Sequence, residues 1–209
     1  MKTNRIKAGA LLAGSALVVA GCATIGGPAL YPSAEDAVKS SFVNMPDHMK
    51  GYIVQDETQS LCSAARDKPT RELQARVEGL NKALKVVYPA NGKLVGDWQR
   101  GERVAQSGYG MRKGDSEKRQ PTGGNCYACH QLRPQELSYG TLGPTLLGYG
   151  KLRGNSEPIV KYTYDKIYNT QQFVGCSNMP RFGHSKILTP EQIADVVALL
   201  LDPASPVNK

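Results

Sequence analysis

Apolar side chains recur at helical spacing in several separate segments of the 209-residue chain. Between Arg71 and Val87 they fall every three or four residues, which predicts an amphipathic helix that ends before Pro89. Its apolar positions are Leu73, Val77, Leu80, Leu84 and Val87. No run of alternating apolar and polar residues indicates a substantial sheet, so the sequence predicts a mostly α protein.

The last helix has the clearest signals for its two ends. Thr189, Pro190 and Gln192 combine an N-cap, a proline in the first turn and the glutamine of a capping box. Asp202-Pro203 is expected to end the helix. The apolar positions between these ends follow helical spacing: Ile193, Val196, Val197 and Leu200.

Cap and turn residues predict further helices. A short helix near residues 34–44 would follow an N-cap at Ser33. A helix over residues 98–106 carries Gly101, which would allow another helix to cross closely. A third begins with a Ser-Glu-Pro cap and runs over residues 157–169.

The N-terminus predicts export. Residues 1–7 carry three cations, and the apolar run that follows to Ala20 is too short for a bilayer span. Gly21-Cys22 then completes a segment that resembles the bacterial lipobox, in which the cysteine is acylated and becomes the new N-terminus. We expect residues 1–21 to be a lipoprotein-type signal peptide, Cys22 to be lipidated and the mature protein to lie in the periplasm. Ordinary signal-peptidase cleavage nearby is the alternative.

The net charge of the chain is +8. Loss of residues 1–21 would lower it to +5, because that segment contains three cations and no acidic residue. The remaining cations are dispersed, which argues against a nucleic-acid partner. In an exported protein they favour contacts with acidic proteins or anionic head groups.

The length after residue 21 suits one domain, or a small domain with an extension. Residues 23–32 contain Gly and Pro and predict a flexible tether. We therefore expect a tether and helical extension over residues 22–95, followed by a second unit over residues 96–209.

A short motif carries the main chemistry: Cys126-Tyr127-Ala128-Cys129-His130. Cys-x-x-Cys-His is the attachment site of a c-type haem. Thiols at i and i+3 lie on one face of a helical turn, so both can form thioethers while the next imidazole reaches the iron. The sequence predicts one covalent haem c on Cys126 and Cys129, with His130 as an axial ligand. A chance match and a redox Cys-x-x-Cys pair are the alternatives.

The remaining cysteines form one further candidate pair. With Cys22 assigned to lipid and two thiols to haem, Cys62 and Cys176 are left. In an oxidising compartment such thiols usually pair. We expect a Cys62–Cys176 disulfide, which would tie the N-terminal segment to the loop before Met179. The alternative is that one of them is a reactive thiol.

The other axial position of the iron needs a second side chain or stays open. Met179 lies in Asn178-Met179-Pro180 on a loop before the last helix, where its thioether could reach the opposite haem face. A Met/His pair raises the reduction potential and leaves no vacant position, which favours electron transfer. His184 is the main rival, and an open site for a gas or peroxide is the third possibility. The other candidates are His48, Met45, Met49 and Met111.

The loop at Gly143-Pro144 has a predicted supporting role. One of its carbonyls could accept the second ring N–H of His130, which would orient the imidazole and raise its basicity. A tight apolar turn over the haem edge is the alternative.

These segments together resemble the class I cytochromes c over roughly residues 96–202. The resemblance implies a class I cytochrome c fold with an N-terminal helical extension. More closely, the chain is similar to the SoxX-type haem subunits of the SoxAX cytochromes of thiosulfate oxidation. The segments that carry this similarity are residues 124–130, 140–146, 178–183 and 188–198.

The resemblance implies a heterodimer with a SoxA-type cytochrome, whose own cysteine joins thiosulfate to a carrier cysteine of a SoxYZ-type protein. The haem of this chain would take up the released electrons and pass them to an acceptor cytochrome c. The chain would then be the electron-transfer subunit of an L-cysteine S-thiosulfotransferase and would supply no catalytic residue. Residues 23–95 would wrap the core or enlarge the partner interface.

Two other classes of function use the same residues. A generic periplasmic mono-haem electron carrier, serving another oxidoreductase or a terminal oxidase, differs only in its partner. A haem sensor or peroxidase needs an open coordination site, which Met179 disfavours.

Overall fold

A computed structural model describes residues 34–66, 68–110, 115 and 121–209. The predicted signal peptide, Cys22, the tether, Ser33 and Met111 lie outside the described residues. The chain divides into two compact units between Asp47 and His48. Residues 48–95 therefore lie in the same unit as residues 96–209.

Helices account for the regular structure of the described residues, which contain no strand, so the mostly α prediction is confirmed. No helix among these residues is long and apolar enough to cross a bilayer. The α-helices are α1 (Ala34–Ser41), α2 (Glu57–Ala65), α3 (Arg71–Lys82), α4 (Trp98–Gln106), α5 (Tyr149–Arg153), α6 (Glu157–Tyr168) and α7 (Pro190–Leu201). Short 3-10 helices cover Asp47–Ile53, Cys126–Ala128, Thr170–Gln172 and Pro206–Asn208.

The last helix lies at the centre of the core. Every residue of α7 from Ile193 to Leu201 is buried. Its predicted capping box is confirmed, since the Thr189 side chain accepts from the backbone N–H of Gln192 at 3.2 Å and the Gln192 side chain accepts from the backbone N–H of Thr189 at 3.0 Å. Such a cap satisfies donors that a helix N-terminus otherwise leaves unpaired.

Helix α4 crosses α7 at very short distance. A Cβ atom on Gly101 would lie 2.0 Å from the backbone oxygen of Asp195, so only glycine permits this approach. The buried Asp195 carboxylate fixes the crossing because it accepts from the Arg100 guanidinium and from the backbone N–H of Asp97, each at 2.8 Å. The predicted close crossing at Gly101 is confirmed.

Helix α3 ends earlier than its apolar pattern predicts. The stripe continues to Val87, yet the helix stops at Lys82, and Leu84 and Val87 are 39% and 49% exposed. The segment beyond the helix makes tertiary hydrogen bonds instead, since the Tyr164 hydroxyl donates to the Val87 carbonyl at 2.9 Å. The predicted helical end was therefore wrong by about one turn.

Helix α2 was not predicted. It has a capping box in which the Asp56 carboxylate accepts from the backbone N–H of Gln59 at 2.9 Å, and Asp56 N–H donates to the Gln59 side chain at 3.0 Å. The side it buries is polar, because its buried residue is Thr58. Hydrophobic periodicity therefore gives no signal for this helix.

Candidate haem site

The approach to the Cys-x-x-Cys-His motif is held by the end of α4. Gly124 N–H donates to the Val104 carbonyl at 2.8 Å, and Asn125 N–H donates to the Ser107 carbonyl at 2.9 Å. Asn125 has a φ of 47°, a left-handed conformation that asparagine tolerates better than most residues. The chain therefore turns sharply at Asn125 and enters the motif against the C-terminal end of α4.

The motif itself forms one tight turn. A 3-10 helix covers Cys126–Ala128, and His130 N–H donates to the Cys126 carbonyl at 2.9 Å. Cys126 and Cys129 are both unpaired and half-buried. Burial raises the pKa of the Cys126 thiol to about 12. A redox Cys-x-x-Cys pair usually has a lowered thiol pKa, and the raised pKa of Cys126 does not match that pattern.

The imidazole of His130 is oriented by the neighbouring loop. Its Nδ1 atom lies 2.7 Å from the carbonyl oxygen of Pro144. Because a carbonyl can only accept, Nδ1 carries the proton in the neutral imidazole, and Nε2 then has the free lone pair. The predicted interaction of His130 with this loop is confirmed, and Nε2 is the atom available to an iron.

The segment over residues 140–146 is aligned on the motif by backbone hydrogen bonds. Gly140 N–H donates to the Tyr127 carbonyl at 2.9 Å, and Leu146 N–H donates to the Gln131 carbonyl at 2.8 Å. Between them, Gly143 N–H donates to the Cys129 carbonyl at 2.8 Å. The two segments therefore hold each other in one register.

The glycine at position 143 makes room for the ring. A Cβ atom there would lie 2.2 Å from Cε1 of His130, so the imidazole lies directly on the Gly143 backbone. Two unpaired thiols, an imidazole with a free Nε2 and a glycine that backs the ring fit a haem c. Cys126 and Cys129 could form the thioethers, and His130 could ligate the iron.

Met179 lies on the loop over residues 173–189, which we call the Met loop. Its side chain is half-buried and packs against the same apolar core as Cys126. Its backbone N–H donates to the Ser177 hydroxyl at 3.2 Å. The Met loop therefore brings the Met179 thioether and the haem motif onto a common core.

His184, on the same loop, has a different environment. Its Nε2 atom lies 3.9 Å from a carboxylate oxygen of Asp56, at the N-terminus of α2. Burial and the nearby Arg181 guanidinium lower the pKa of His184. One of its two possible ligating nitrogens thus faces a carboxylate.

A large cavity of about 1230 Å³ is lined by residues of the Met loop and of α2. Met179, His184 and Asp56 contribute to its wall. Cys62 and Cys176 also line it and form a disulfide whose Cα atoms are 5.3 Å apart. The bond joins α2 to the Met loop.

Sequence reasoning missed a buried polar cluster beside Met179. Arg181 is only 7% exposed, and its guanidinium donates to the carboxylate of Asp56 and, at 3.4 Å, to the side chain of Asn81. Asn81 is 1% exposed and also receives a hydrogen bond from Asn169 at 3.0 Å. The Asp-x-x-Gln capping pattern at residues 56–59 was the available signal for the α2 end of this cluster.

Comparison with known proteins agrees with this architecture. The sequence profile of the cytochrome c family matches residues 99–202. Over 189 residues the chain is 40% identical to a protein of Aquifex aeolicus (strain VF5) named uncharacterized lipoprotein, and the alignment covers 84% of each chain. The chain belongs to the cytochrome c family. Its cofactor is therefore a covalently attached haem c, its role is electron transfer, and the class I fold prediction is confirmed.

Proposed function

We propose that this chain is the haem-bearing electron-transfer subunit of a SoxAX-type complex. In this proposal Cys126 and Cys129 hold the haem, and His130 and Met179 are the axial ligands. The observation that carries the haem-bearing electron-transfer role is the His130 imidazole, which the Pro144 carbonyl fixes beside two unpaired cysteines. Haem c supplies a one-electron couple when it is bound.

The protein residues would set the properties of that couple. The hydrogen bond from His130 Nδ1–H to the Pro144 carbonyl raises the basicity of the imidazole and keeps Nε2 aimed at one point. The Gly143 backbone lies against one face of the ring and limits its movement on that side. These contacts favour a site in which the His130 ligand stays in place when the iron changes its oxidation state.

Two observations support Met179 over His184 as the second ligand. Met179 packs on the core that also contacts Cys126. The His184 Nε2 atom instead faces Asp56 at 3.9 Å. A Met/His pair gives a higher potential than a bis-His pair, which suits an acceptor of electrons from sulfur chemistry.

The partner assignment rests on the motif segments that resemble SoxX-type subunits, residues 124–130, 140–146 and 178–183. A SoxA-type partner would carry the cysteine on which thiosulfate is joined to a SoxYZ-type carrier, and an acceptor cytochrome c would then remove the electrons. The cysteines of this chain support that division of labour. Cys62 and Cys176 are bonded to each other, so among the described residues only the haem-motif thiols are unpaired.

We further propose that the mature protein is anchored to a membrane from the periplasmic side through acylated Cys22. The lipobox-like segment before Cys22 supports this, as does the lipoprotein name of the Aquifex aeolicus relative. Several acyl chains on one terminus would give stable attachment, since each buried methylene contributes roughly 0.8 kcal/mol.

The experiment that tests the complex is purification of the chain from its native host with a mild detergent. We expect a second cytochrome with its own Cys-x-x-Cys-His to co-purify. Thiosulfate plus the carrier protein should then reduce the haem on this chain. A chain that purifies alone, and whose haem stays oxidised with thiosulfate, carrier and candidate partner present, would favour the generic electron carrier instead.

The ligand assignment is tested by Met179→Ala in the holoprotein. We expect the haem to stay attached, the reduction potential to fall and the red absorption band of methionine-ligated ferric haem to disappear. His184→Ala is the matched variant on the same loop and should keep that band. An unchanged potential in Met179→Ala would contradict the assignment.

A further inference from the structure

The Met loop is attached to α3 just before Met179. A Cβ atom on Gly175 would lie 2.4 Å from the backbone oxygen of Gln74, so the loop backbone lies directly on α3. Gly175 N–H also approaches the Glu78 carboxylate at 3.4 Å. This contact depends on the absence of a side chain at position 175.

The next residue connects the same part of the loop to α2. Cys176 forms the disulfide with Cys62 and has a φ of 60°, a left-handed conformation that non-glycine residues disfavour. The side chain of Gln171 accepts from the Cys176 N–H at 2.6 Å and donates to the Ser177 carbonyl at 2.9 Å. A backbone in this conformation persists only when its surroundings hold it.

A third attachment lies just after Met179. The buried Arg181 guanidinium is ion-paired with Asp56, the N-cap of α2, and hydrogen-bonded to Asn81 of α3. Asn81 is itself fixed, because its side-chain amide donates to the Thr58 hydroxyl at 2.9 Å. Both helices of the segment therefore hold the loop on this side as well.

We propose that α2 and α3 form a clamp whose function is to keep Met179 on the haem iron. Asp56, Asn81 and the Cys62–Cys176 disulfide act in it as positioning residues. The proposal rests on the proposed ligation of the iron by Met179. In this proposal the N-terminal extension positions a haem ligand of its own chain, instead of forming a binding surface for a partner.

The clamp matters because a ligand on a loop is always in competition with other ligands. A loop that opens locally exposes the sixth position of the iron to water or to an added base. Attachments on both sides of Met179 lower the population of that open state. Releasing one of them should therefore increase the apparent affinity of the iron for an external ligand.

The test is imidazole binding to the ferric holoprotein, together with its reduction potential. We expect Asp56→Asn to bind imidazole roughly tenfold more tightly, as expected when a hydrogen bond to a charged group no longer opposes opening. Cys62→Ser with Cys176→Ser, tested separately, should also bind imidazole more tightly, because the disulfide no longer holds the loop. Both variants should also have a lower potential and a weaker methionine-ligation band. Neither change touches the haem motif.

Glu57→Gln is the matched control. Glu57 is adjacent to Asp56 and loses the same charge, but its partner is the exposed Arg76 of α3 at 3.1 Å and not the Met loop. This variant should bind imidazole like the wild type. If Asp56→Asn and the double cysteine variant both bound imidazole with the wild-type affinity, the proposal that α2 and α3 hold Met179 on the iron would be overturned.

A second test needs no substitution. The disulfide lines the cavity, so a small phosphine can reduce it in the folded holoprotein, and alkylation then blocks the thiols before the haem is reoxidised. We expect imidazole affinity to rise as in the double variant, and unchanged affinity would contradict the proposal. Absence of the methionine band from untreated wild type would instead refute Met179 ligation, and with it the function given to the clamp.

Discussion

The Nδ1 atom of His130 lies 2.7 Å from the carbonyl oxygen of Pro144, and the backbone of Gly143 lies against the face of the same ring. One loop therefore fixes both the tautomer of the imidazole and its plane. A histidine held in this way needs little rearrangement when the charge of a bound iron changes.

The contact with Gly143 leads to the first prediction. Gly143→Ala would bring a Cβ atom to 2.2 Å from Cε1 of His130, so the ring must move away from the Pro144 carbonyl. We expect the holoprotein to lose about 1–3 kcal/mol in free energy of unfolding. The ferric spectrum should change as well. Denaturant unfolding and absorption spectroscopy measure the two effects.

Gly79→Ala provides the control for this prediction. Position 79 lies in α3, and a Cβ atom there would meet no other atom within 4 Å. Alanine at this position should therefore stabilise the protein by about 0.5–1 kcal/mol. A Gly143→Ala protein with the wild-type spectrum and stability would show that the ring does not depend on this glycine.

The second prediction concerns the crossing of α4 and α7. Gly101→Ala places a Cβ atom 2.0 Å from the backbone oxygen of Asp195. This overlap cannot be relieved by a movement of one helix backbone alone. We expect a loss of at least about 3 kcal/mol in free energy of unfolding, at the upper end of overpacking effects. Thermal unfolding of the purified variant beside Gly79→Ala measures this. Equal midpoints for the two variants would be incompatible with the crossing.

Local signals in the sequence were sufficient for the helices that frame the haem motif. The helix α7 follows its capping box at Thr189, and α4 covers the predicted residues 98–106. The His130–Pro144 contact was also predictable, because it joins two short motifs near each other in sequence. Chemistry and local spacing determine these features, so no knowledge of distant contacts is needed.

Features that depend on distant contacts were not predictable in this way. Helix α2 buries Thr58 and lacks an apolar stripe, so its stability comes from its cap and from its neighbours. The Arg181–Asp56 pair joins residues far apart in sequence, and neither residue type indicates its partner. The end of α3 at Lys82 depends on tertiary contacts of the following segment, which override a continuing helical pattern.

The third prediction uses the pH dependence of Asp56. Burial alone would raise its pKa, but the backbone N–H of Gln59 and the Arg181 guanidinium together hold the pKa below its usual 3.8. The carboxylate therefore stabilises the fold above pH 3.8, and this contribution is lost as the pH falls through the lowered pKa. Asp56→Asn should retain the helix cap and lower the free energy of unfolding at neutral pH by about 1–3 kcal/mol.

Urea unfolding of wild type and Asp56→Asn between neutral and acidic pH checks the sign. The difference between the two proteins should shrink as the pH falls below 3.8. Glu57→Gln should be less destabilised than Asp56→Asn at neutral pH, because the Glu57–Arg76 pair is exposed. A constant difference at all pH values would contradict the role given to the Asp56 charge.

The fourth prediction concerns the membrane anchor. Cys22→Ala should prevent acylation and release the protein into the soluble periplasmic fraction, because the acyl chains on Cys22 are the proposed anchor. Fractionation of cells that express wild type or variant measures this, with haem staining to follow both. A variant that still sediments with membranes after a high-salt wash would refute the anchor.

The most direct test of the account is whether a haem is bonded covalently to Cys126 and Cys129. Intact-mass measurement of the purified protein should show one added haem, and acid-acetone should leave the colour with the polypeptide. The double variant Cys126→Ala with Cys129→Ala should carry no covalent haem, whereas Cys62→Ser with Cys176→Ser should still carry it. Wild-type protein whose colour passes into the acetone, or whose mass is that of the polypeptide alone, would contradict the account.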